Sequence, residues 1–406
     1  MILKKIFYFI IPFNLLIDVL LVFTDKSGSL LALFRGLILY SYFFLIISHT
    51  KNKINSNVVS IIIFTIYVFA QIPFSNDILY SLRISSQVII SMLFFYIAYN
   101  LIKSKEDLRK LNNSLYIYMF ILISQTLIAN IFHIGYTGYI TVLYGNNDIA
   151  FGNLKDNFLN FSFPIIIAIY LSQIEKSILK KVVILIMTLI ISIILILSLK
   201  RIAIFVVILG ILILILKNKI KSYKILSGLI LVLSFVLILN SEKLKNILSE
   251  KMIARQNNFN IERINEELRF VETEVVWKEV FSFDDPIKSI FGLQAFNSIG
   301  NYGNGRFGKR NLHIDYNLIV NTTGIIGLLL YLHIYIELIK KYTFYNKIKM
   351  NNELFSYKIL LLTLIITSFF SSLGGQFYSI TFRSMIFIYL GAIIKILDIE
   401  TKNKLC

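Results

Sequence analysis

Residues 182–216 read VVILIMTLIISIILILSLKRIAIFVVILGILILIL, an apolar stretch of 35 residues in which only Lys200 and Arg201 carry charge. As a single α-helix this stretch would be about 52 Å long, at ~1.5 Å per residue, whereas the hydrocarbon core of a bilayer is about 30 Å thick. The stretch is therefore expected to cross a membrane twice and to reverse at the two cations. Its flanks, 175–181 and 217–224, are both rich in lysine and then lie on one side.

The composition of the whole chain agrees with a membrane protein. Of its 406 residues, 57% are apolar and 16% are charged, whereas a water-soluble domain carries about 25% charged residues. An ordinary soluble enzyme is thereby excluded. The single cysteine, Cys406, and the four prolines exclude a disulfide framework and a proline-rich disordered chain. The excess of 41 Lys and Arg over 23 Asp and Glu is explained by membrane topology rather than by nucleic-acid binding.

We predict an all-α polytopic membrane protein with about twelve transmembrane helices and one large extracytoplasmic loop. The predicted spans are 6–23, 28–48, 58–74, 81–102, 115–134, 158–173, 182–199, 202–217, 225–240, 314–338, 359–379 and 384–397. They divide the chain into helices 1 to 9 (1–240), a loop subdomain (241–313), and helices 10 to 12 with the C-terminus (314–406). The first span has no cleavage pattern after it and is expected to be an uncleaved anchor.

Basic residues in the short loops set the predicted orientation. With the N-terminus inside, the inner segments hold 22 Lys and Arg, while the short outer segments hold six. Both termini are therefore expected in the cytoplasm, with 241–313 facing outward. The two cations are also unequally distributed. Arg109 is the one arginine among the inner 22, whereas the outer segments and the long loop contain eight: Arg83, Arg201, Arg255, Arg263, Arg269, Arg306, Arg310 and Arg383. Because arginine holds phosphate or carboxylate with a planar fork of donors, the asymmetry indicates an anion at the outer face.

The long loop is expected to form a small polar subdomain. Apolar residues at near-helical spacing over 261–280 predict an amphipathic helix, which Asp284, Asp285 and Pro286 then stop. Four glycines between 300 and 308 predict a flexible segment that wraps a ligand or acts as a lid. The loop contains no cluster of His and Cys and no spaced carboxylate set that would indicate a metal site.

The segment that joins this loop to the next helix, HIDYNLIVNTTGIIG over 313–327, resembles the signature of the O-antigen ligase and O-antigen or capsule polymerase (Wzy-type) family. In that signature a His with an amide or Ser is followed by nine residues, Gly, two residues and Gly. Ile314 departs from the pattern, and Asn317, one helical turn from His313, is the candidate to replace the missing amide. Gly324 and Gly327 match it, and they also permit close helix packing.

Two further features carry the same resemblance, which covers about residues 180–340. Arg201 opens a helix well before the large loop, and Arg269 is followed by Trp277 and then by Phe291-Gly292. The resemblance implies a GT-C-like fold and glycosyl transfer from an undecaprenyl-diphosphate-linked oligosaccharide. A polymerase passes the sugar chain to a second lipid-linked unit. The implied partners are the growing polysaccharide, membrane lipid, a chain-length regulator and a flippase, and no nucleic acid is among them. A ligase passes it to lipid A core.

The residues support that chemistry. A lipid diphosphate that leaves with developing negative charge needs fixed cationic donors, and the candidates are Arg201, Arg269, Arg306 and Arg310. The acceptor hydroxyl needs a base near neutral pKa, and His313 is the candidate. Asp315 is the rival base or the group that orients the imidazole. We expect inverting transfer without metal or cofactor.

Two charges within the first spans, Asp18 and Arg35, lie at similar depths on consecutive antiparallel helices, and we expect them to form an ion pair. Its role is either structural or, through Arg35, to line the lipid-diphosphate site, where Arg83 is a further supporting cation. A function of another class, a lipid-linked oligosaccharide flippase or other transporter, is also possible for such a chain. Transporters usually show repeated halves and midplane charges. This sequence shows no internal repeat, and its charges concentrate in one outer loop, which favours an enzyme.

Overall fold

The structure is a computed structural model, and it describes residues 2–21, 30–50, 54–132, 154, 157–217, 221–257, 268–303, 307, 310–348 and 350–405. Within these ranges the regular elements are all helical. They are α1 (Ile2–Leu20), α2 (Leu30–His49), α3 (Ser56–Gln71, followed by a 3₁₀ turn at Ile72–Phe74), α4 (Ile78–Leu101), α5 (Lys105–Phe132), α6 (Leu159–Ile174), α7 (Ile178–Ser198), α8 (Arg201–Lys217), α9 (Lys221–Asn240), α10 (Glu242–Asn257), α11 (Leu268–Phe281), α12 (Pro286–Phe291), α13 (Asp315–Asn346), α14 (Asn352–Ser371) and α15 (Ile380–Leu405).

Eight of the described helices are long and apolar enough to cross a membrane: α2, α3 with its 3₁₀ turn, α4, α5, α7, α13, α14 and α15. The chain is thus an all-α protein of the multi-pass membrane class. The other four predicted spans also coincide with helices, α1, α6, α8 and α9, but their crossing of a membrane stays a prediction, as does the count of twelve. We call the end of the bundle that carries the α7–α8 turn the outer end, following the predicted topology.

The long apolar stretch at 182–216 forms two helices, as its length requires. α7 ends at Ser198, Leu199 adopts a left-handed backbone with φ 53°, and α8 begins at Arg201. Ser198 helps the reversal, because its side chain accepts a hydrogen bond from the amide of Lys200 at 3.2 Å. The two cations therefore lie at the outer end of a helical hairpin.

α15 forms the centre of the bundle, and its most apolar stretch is buried over its whole length. α4 is its principal neighbour. The two helices approach closely at Gly391, where a Cβ would lie 2.3 Å from the carbonyl oxygen of Phe95. Only glycine therefore permits this backbone contact, and the interface buries much of α4.

α13 is bent rather than straight. Gly324 interrupts it with φ 68° and ψ −174°. Along a straight helix Tyr316 and Tyr331 would lie about 22 Å apart at ~1.5 Å per residue, yet their ring centroids are 6.2 Å apart. The Tyr331 hydroxyl is 2.9 Å from the hydroxyl of Ser372, whose carbonyl accepts the amide of Asp315 at 3.0 Å. The part of α13 before Gly324 thus folds toward the part after it, and places Asp315 beside Ser372.

Both glycines of the family-like motif have steric reasons to be glycine. A Cβ on Gly324 would lie 2.3 Å from the carbonyl oxygen of Ile290, and a Cβ on Gly327 would lie 1.9 Å from the hydroxyl of Thr323. Close packing is therefore observed at Gly324, against α12. At Gly327 the nearest side chain belongs to α13 itself, and Tyr67 of α3 would lie 3.2 Å from the Cβ. The bend at Gly324 was not expected.

The segment after α12 is buried between α4 and α13. Ser81 and Ser85 of α4 donate hydrogen bonds to the carbonyls of Gln294 and Ala295 at 3.1 and 2.9 Å, and the Gln294 amide donates to the carbonyl of Thr322 at 3.0 Å. Ala295 and Phe296 are fully buried. The segment at 292–298 is thus fixed by its neighbours. The flexible lid expected over 300–308 stays a prediction, because Gly305 and Gly308 lie outside the described residues.

Candidate functional site

Two residues predicted for the site, Arg201 and His313, flank one turn at the outer end. Both side chains are exposed. The turn after α14 runs between them: a Cβ on Gly374 would lie 3.0 Å from the side chain of Ile202, and a Cβ on Gly375 would lie 1.5 Å from the carbonyl oxygen of His313. The double-glycine turn therefore lets α8 and the start of α13 approach it from both sides. We call Arg201, His313 and this turn the outer site.

Two sources of positive potential meet at Arg201. It is the first residue of α8, so an anion beside it also meets the positive end of the helix dipole. The neighbouring Lys200 is directed elsewhere, since its ammonium lies 5.7 Å from the centre of the Phe158 ring, at the start of α6. Arg201 thus provides a planar fork of donors suited to a phosphate.

A backbone carbonyl sets the tautomer of the neutral His313 imidazole. Its Nδ1 atom lies 3.3 Å from the carbonyl oxygen of Asn311. A carbonyl can only accept, so this contact requires the proton on Nδ1 and leaves the lone pair on Nε2. Asn311 is itself held by α4, because its side chain donates to the hydroxyl of Tyr80 at 2.7 Å. The tautomer favoured here is the one that accepts a proton from a hydroxyl through Nε2.

Asp315 does not occupy the position predicted for it. Its carboxylate is 1% exposed and forms an ion pair with Arg383 of α15, which is 2% exposed. The carboxylate is already bound by Arg383, so its contacts do not support the expectation that Asp315 is the rival base, which stays a prediction. The alternative, that it orients the imidazole, is not what its contacts show, since Arg383 and the amide of Phe377 bind its carboxylate.

The ion pair instead stabilises the backbone beneath the outer site. Asp315 donates its amide to the carbonyl of Ser372, and Arg383 donates from Nε to the carbonyl of Gln376 at 3.4 Å. The side-chain oxygen of Gln376 accepts the amide of Leu159 at 3.1 Å. α6, α13, α15 and the turn after α14 are thereby joined at one point. This network fixes the backbone on which His313 and the double glycine lie.

Arg310 is engaged by another side chain of the loop subdomain, contrary to the prediction that it binds the diphosphate. It forms an ion pair with Glu272 of α11, which is 1% exposed, and Tyr302 donates to the same carboxylate at 3.0 Å. Burial raises the pKa of Tyr302 to about 12. Burial also lowers the pKa of Arg310, but its hydrogen bonds with Tyr302 and Glu272 outweigh that effect and raise it. Arg310 therefore stabilises the loop.

The arginines predicted for the diphosphate are thus not gathered in one hollow within the described residues. Arg269 is the second residue of α11, but its side chain lies outside the described part of the structure, as does all of Arg306. Of the four, Arg201 is the one that lies at the same turn as His313, through the contact of the adjacent Ile202 with Gly374. The remaining assignments, to Arg269 and Arg306, stay predictions.

Asn317 has a structural role that differs from the one expected. Its side-chain oxygen accepts the indole N–H of Trp277 at 2.9 Å, and its nitrogen donates to the hydroxyl of Thr273 at 2.8 Å. Both partners belong to α11, so Asn317 attaches α11 to α13. It does not supply an amide beside His313 in this arrangement.

The predicted ion pair of the first two spans is confirmed. Arg35 lies 2.6 Å from Asp18, both are buried, and Thr381 of α15 donates to the other carboxylate oxygen of Asp18 at 2.5 Å. The pair therefore joins α1, α2 and α15. Arg83 lies half-buried in the second turn of α4.

Sequence reasoning missed Arg383 and the double glycine. Arg383 was counted with the outer cations, and nothing in its surroundings identifies Asp315, 68 positions away, as its partner. The turn at Gly374-Gly375 could have been predicted from the sequence, because adjacent glycines between two apolar segments mark a tight turn.

Within the described ranges, no three His, Cys, Asp or Glu side chains lie close enough to hold a metal ion. No protein-family model matches the chain, and no curated protein matches it. The resemblance to the ligase and polymerase family therefore depends on the motif residues themselves.

Proposed function

We propose that the chain is a glycosyltransferase of the bacterial cytoplasmic membrane that polymerises lipid-linked oligosaccharide units into O-antigen, capsular polysaccharide or exopolysaccharide at the outer face. The observation that carries the proposal is the outer site. An exposed arginine at a helix N-terminus and an exposed imidazole with Nε2 as acceptor flank the same double-glycine turn. A diphosphate leaving group and an acceptor hydroxyl need these two groups.

In the proposed reaction, Nε2 of His313 takes the proton from the acceptor hydroxyl while that oxygen attacks the anomeric carbon of the donor. The bond between this carbon and the diphosphate oxygen breaks, and the configuration at the carbon is inverted. The guanidinium of Arg201 and the N-terminus of α8 stabilise the charge that develops on undecaprenyl diphosphate. The products are one longer lipid-linked glycan and the free lipid diphosphate, and the scheme uses no metal or cofactor.

The proposal can be tested with the purified chain and an undecaprenyl-diphosphate-linked oligosaccharide in liposomes. A polymerase yields lipid-linked products of increasing length from this single substrate. A ligase yields a product only when lipid A core is added, and a flippase moves the substrate across the bilayer without forming a new bond. Either of the last two results would contradict the proposal.

Variants then assign the reaction to the outer site. His313→Ala and Arg201→Ala are expected to abolish elongation, and Arg201→Lys is expected to lower it strongly because a lysine lacks the bidentate fork. His49→Ala and Arg109→Ala are matched controls at the opposite end of the bundle, where both side chains are exposed, and they are expected to retain the wild-type rate. Wild-type elongation by His313→Ala would remove the outer site from the reaction.

A further inference from the structure

A cavity at the outer end lies on the loop subdomain, apart from the residues of the outer site. It is enclosed by the end of α11, by α12, by the segment at 300–302 and by α13, and its volume is about 380 Å³. This lies at the lower end of the range for small-molecule pockets, roughly 300–1,000 Å³. Its lining consists of Glu279, Val280, Asp284, Asp285, Lys288, Ser289, Gly300, Asn301, Tyr302 and Asn321. We call it the loop pocket.

Asn321 is the most informative residue of the loop pocket. Its side chain is 1% exposed, and neither its nitrogen nor its oxygen has a hydrogen-bond partner among the residues that the structure describes. A buried polar group left without a partner costs about 1–3 kcal/mol. A ligand that offers a donor and an acceptor side by side would satisfy both atoms of the amide.

Glu279 supplies a second unsatisfied atom. One carboxylate oxygen accepts the amide of Gly303 at 2.9 Å, while the other is buried and has no partner within the described part of the chain. A carboxylate oxygen can only accept. The ligand must therefore bring a hydroxyl or an N–H group to this point.

The charge of the loop pocket restricts the ligand further. Three carboxylates, Glu279, Asp284 and Asp285, face one ammonium, Lys288, which already donates to the carbonyl of Asn301 at 3.3 Å. The excess negative charge disfavours an anion. A metal ion is not favoured either, because these side chains do not form a group of three potential ligands. A small molecule rich in hydroxyl or amino donors, neutral or positively charged, fits best.

We propose that the loop pocket binds one pyranose of the glycan substrate, and that this pyranose is a neutral or amino sugar rather than a uronic acid. This assignment rests on the proposed function. The Asn321 amide would donate to one ring substituent and accept from the next, while Glu279 accepts a further hydroxyl. The diphosphate and the sugar would then be recognised in places of opposite charge, the first beside Arg201 and the second in the loop pocket.

The test is direct sugar binding to the full-length chain in nanodiscs, measured by saturation-transfer NMR with glucose, glucosamine and glucuronate titrated separately. Glucose and glucosamine are expected to bind, and glucuronate is not. Asn321→Leu and Glu279→Gln should each weaken glucosamine binding about tenfold, as expected for losing one hydrogen bond to a ligand. Glu279→Gln keeps an oxygen for the amide of Gly303, so it remains a valid test if Asn321→Leu fails to fold. Glu274→Gln, on the exposed face of the same helix, is the matched control and should bind as the wild type does.

The proposal is overturned if none of the three sugars binds, which would leave only water in the loop pocket, or if glucuronate binds as tightly as glucosamine. It is also overturned if Glu279→Gln retains wild-type affinity. Because this readout does not require transfer, its failure can be separated from failure of the proposed function. Absence of elongation by the wild type together with sugar binding in the loop pocket would refute the polymerase and retain the sugar site.

Discussion

Substitution of Gly375 by alanine is expected to inactivate the outer site by displacing His313. The new Cβ would lie 1.5 Å from the carbonyl oxygen of His313, whereas a carbon and a carbonyl oxygen normally approach to about 3.3 Å. The two backbones must therefore separate by about 1.8 Å. A displacement of ~1 Å at a reacting group can cost about 100-fold in rate, so elongation by Gly375→Ala should fall by at least that factor.

Gly228→Ala provides a control. Gly228 lies in α9, and the nearest atom to a Cβ at this position would be in the Ile215 side chain at 3.9 Å, an ordinary contact. Gly375 has φ +70°, so an alanine there also carries a backbone strain of roughly 1–2 kcal/mol, which should lower the thermal midpoint in detergent. Loss of elongation should be confined to Gly375→Ala. Equal elongation rates for the two variants would refute the argument that the double-glycine turn positions His313.

Three further variants test the packing around the site. Asp18→Asn leaves the charge of Arg35 buried without its partner and should lower the free energy of unfolding by about 3–5 kcal/mol. SDS titration in micelles measures this change. A normal stability with lost elongation would instead assign the pair to substrate binding. Asn317→Leu removes the acceptor of the Trp277 indole and should lower the free energy of unfolding by about 1–2 kcal/mol. The fluorescence emission of this single tryptophan should also shift, and unchanged emission would contradict the assigned contact. The Tyr302 pKa is raised from 10 to about 12, so its contribution to stability is complete below pH 10 and is lost as the pH rises to about 12. The thermal midpoint of the wild type should fall more steeply over this range than that of Tyr302→Phe, and parallel curves would count against the contact.

The helical class and many of the helices were predictable from the sequence because a bilayer imposes a length and an apolar composition on each span. The reversal at Lys200 and Arg201 follows from length alone, and the structure places it there. The pair of Asp18 and Arg35 was predictable for a related reason. Consecutive helices are antiparallel neighbours, so two charges at equal depth can meet.

The contacts of the site depend on chain segments that are distant in sequence, and these were not predictable. The bend at Gly324 requires the backbone of Ile290 to occupy the space beside it, and no local pattern reports that. Asp315 and Arg310 were assigned to chemistry because their types suit it, but each has a buried partner, Arg383 and Glu272 respectively. Residue type indicates what a group can do, and only the fold determines whether a partner already occupies it.

The central position of α15 has a consequence for the biogenesis of the protein. α4 leaves the ribosome about 300 residues before α15 is complete, which at ~5–20 residues per second is an interval of roughly 15–60 s. During this time the surface of α4 that later packs around Gly391 has only lipid or a chaperone to cover it. The contact between α4 and α15 can therefore form only after the last helix has been inserted.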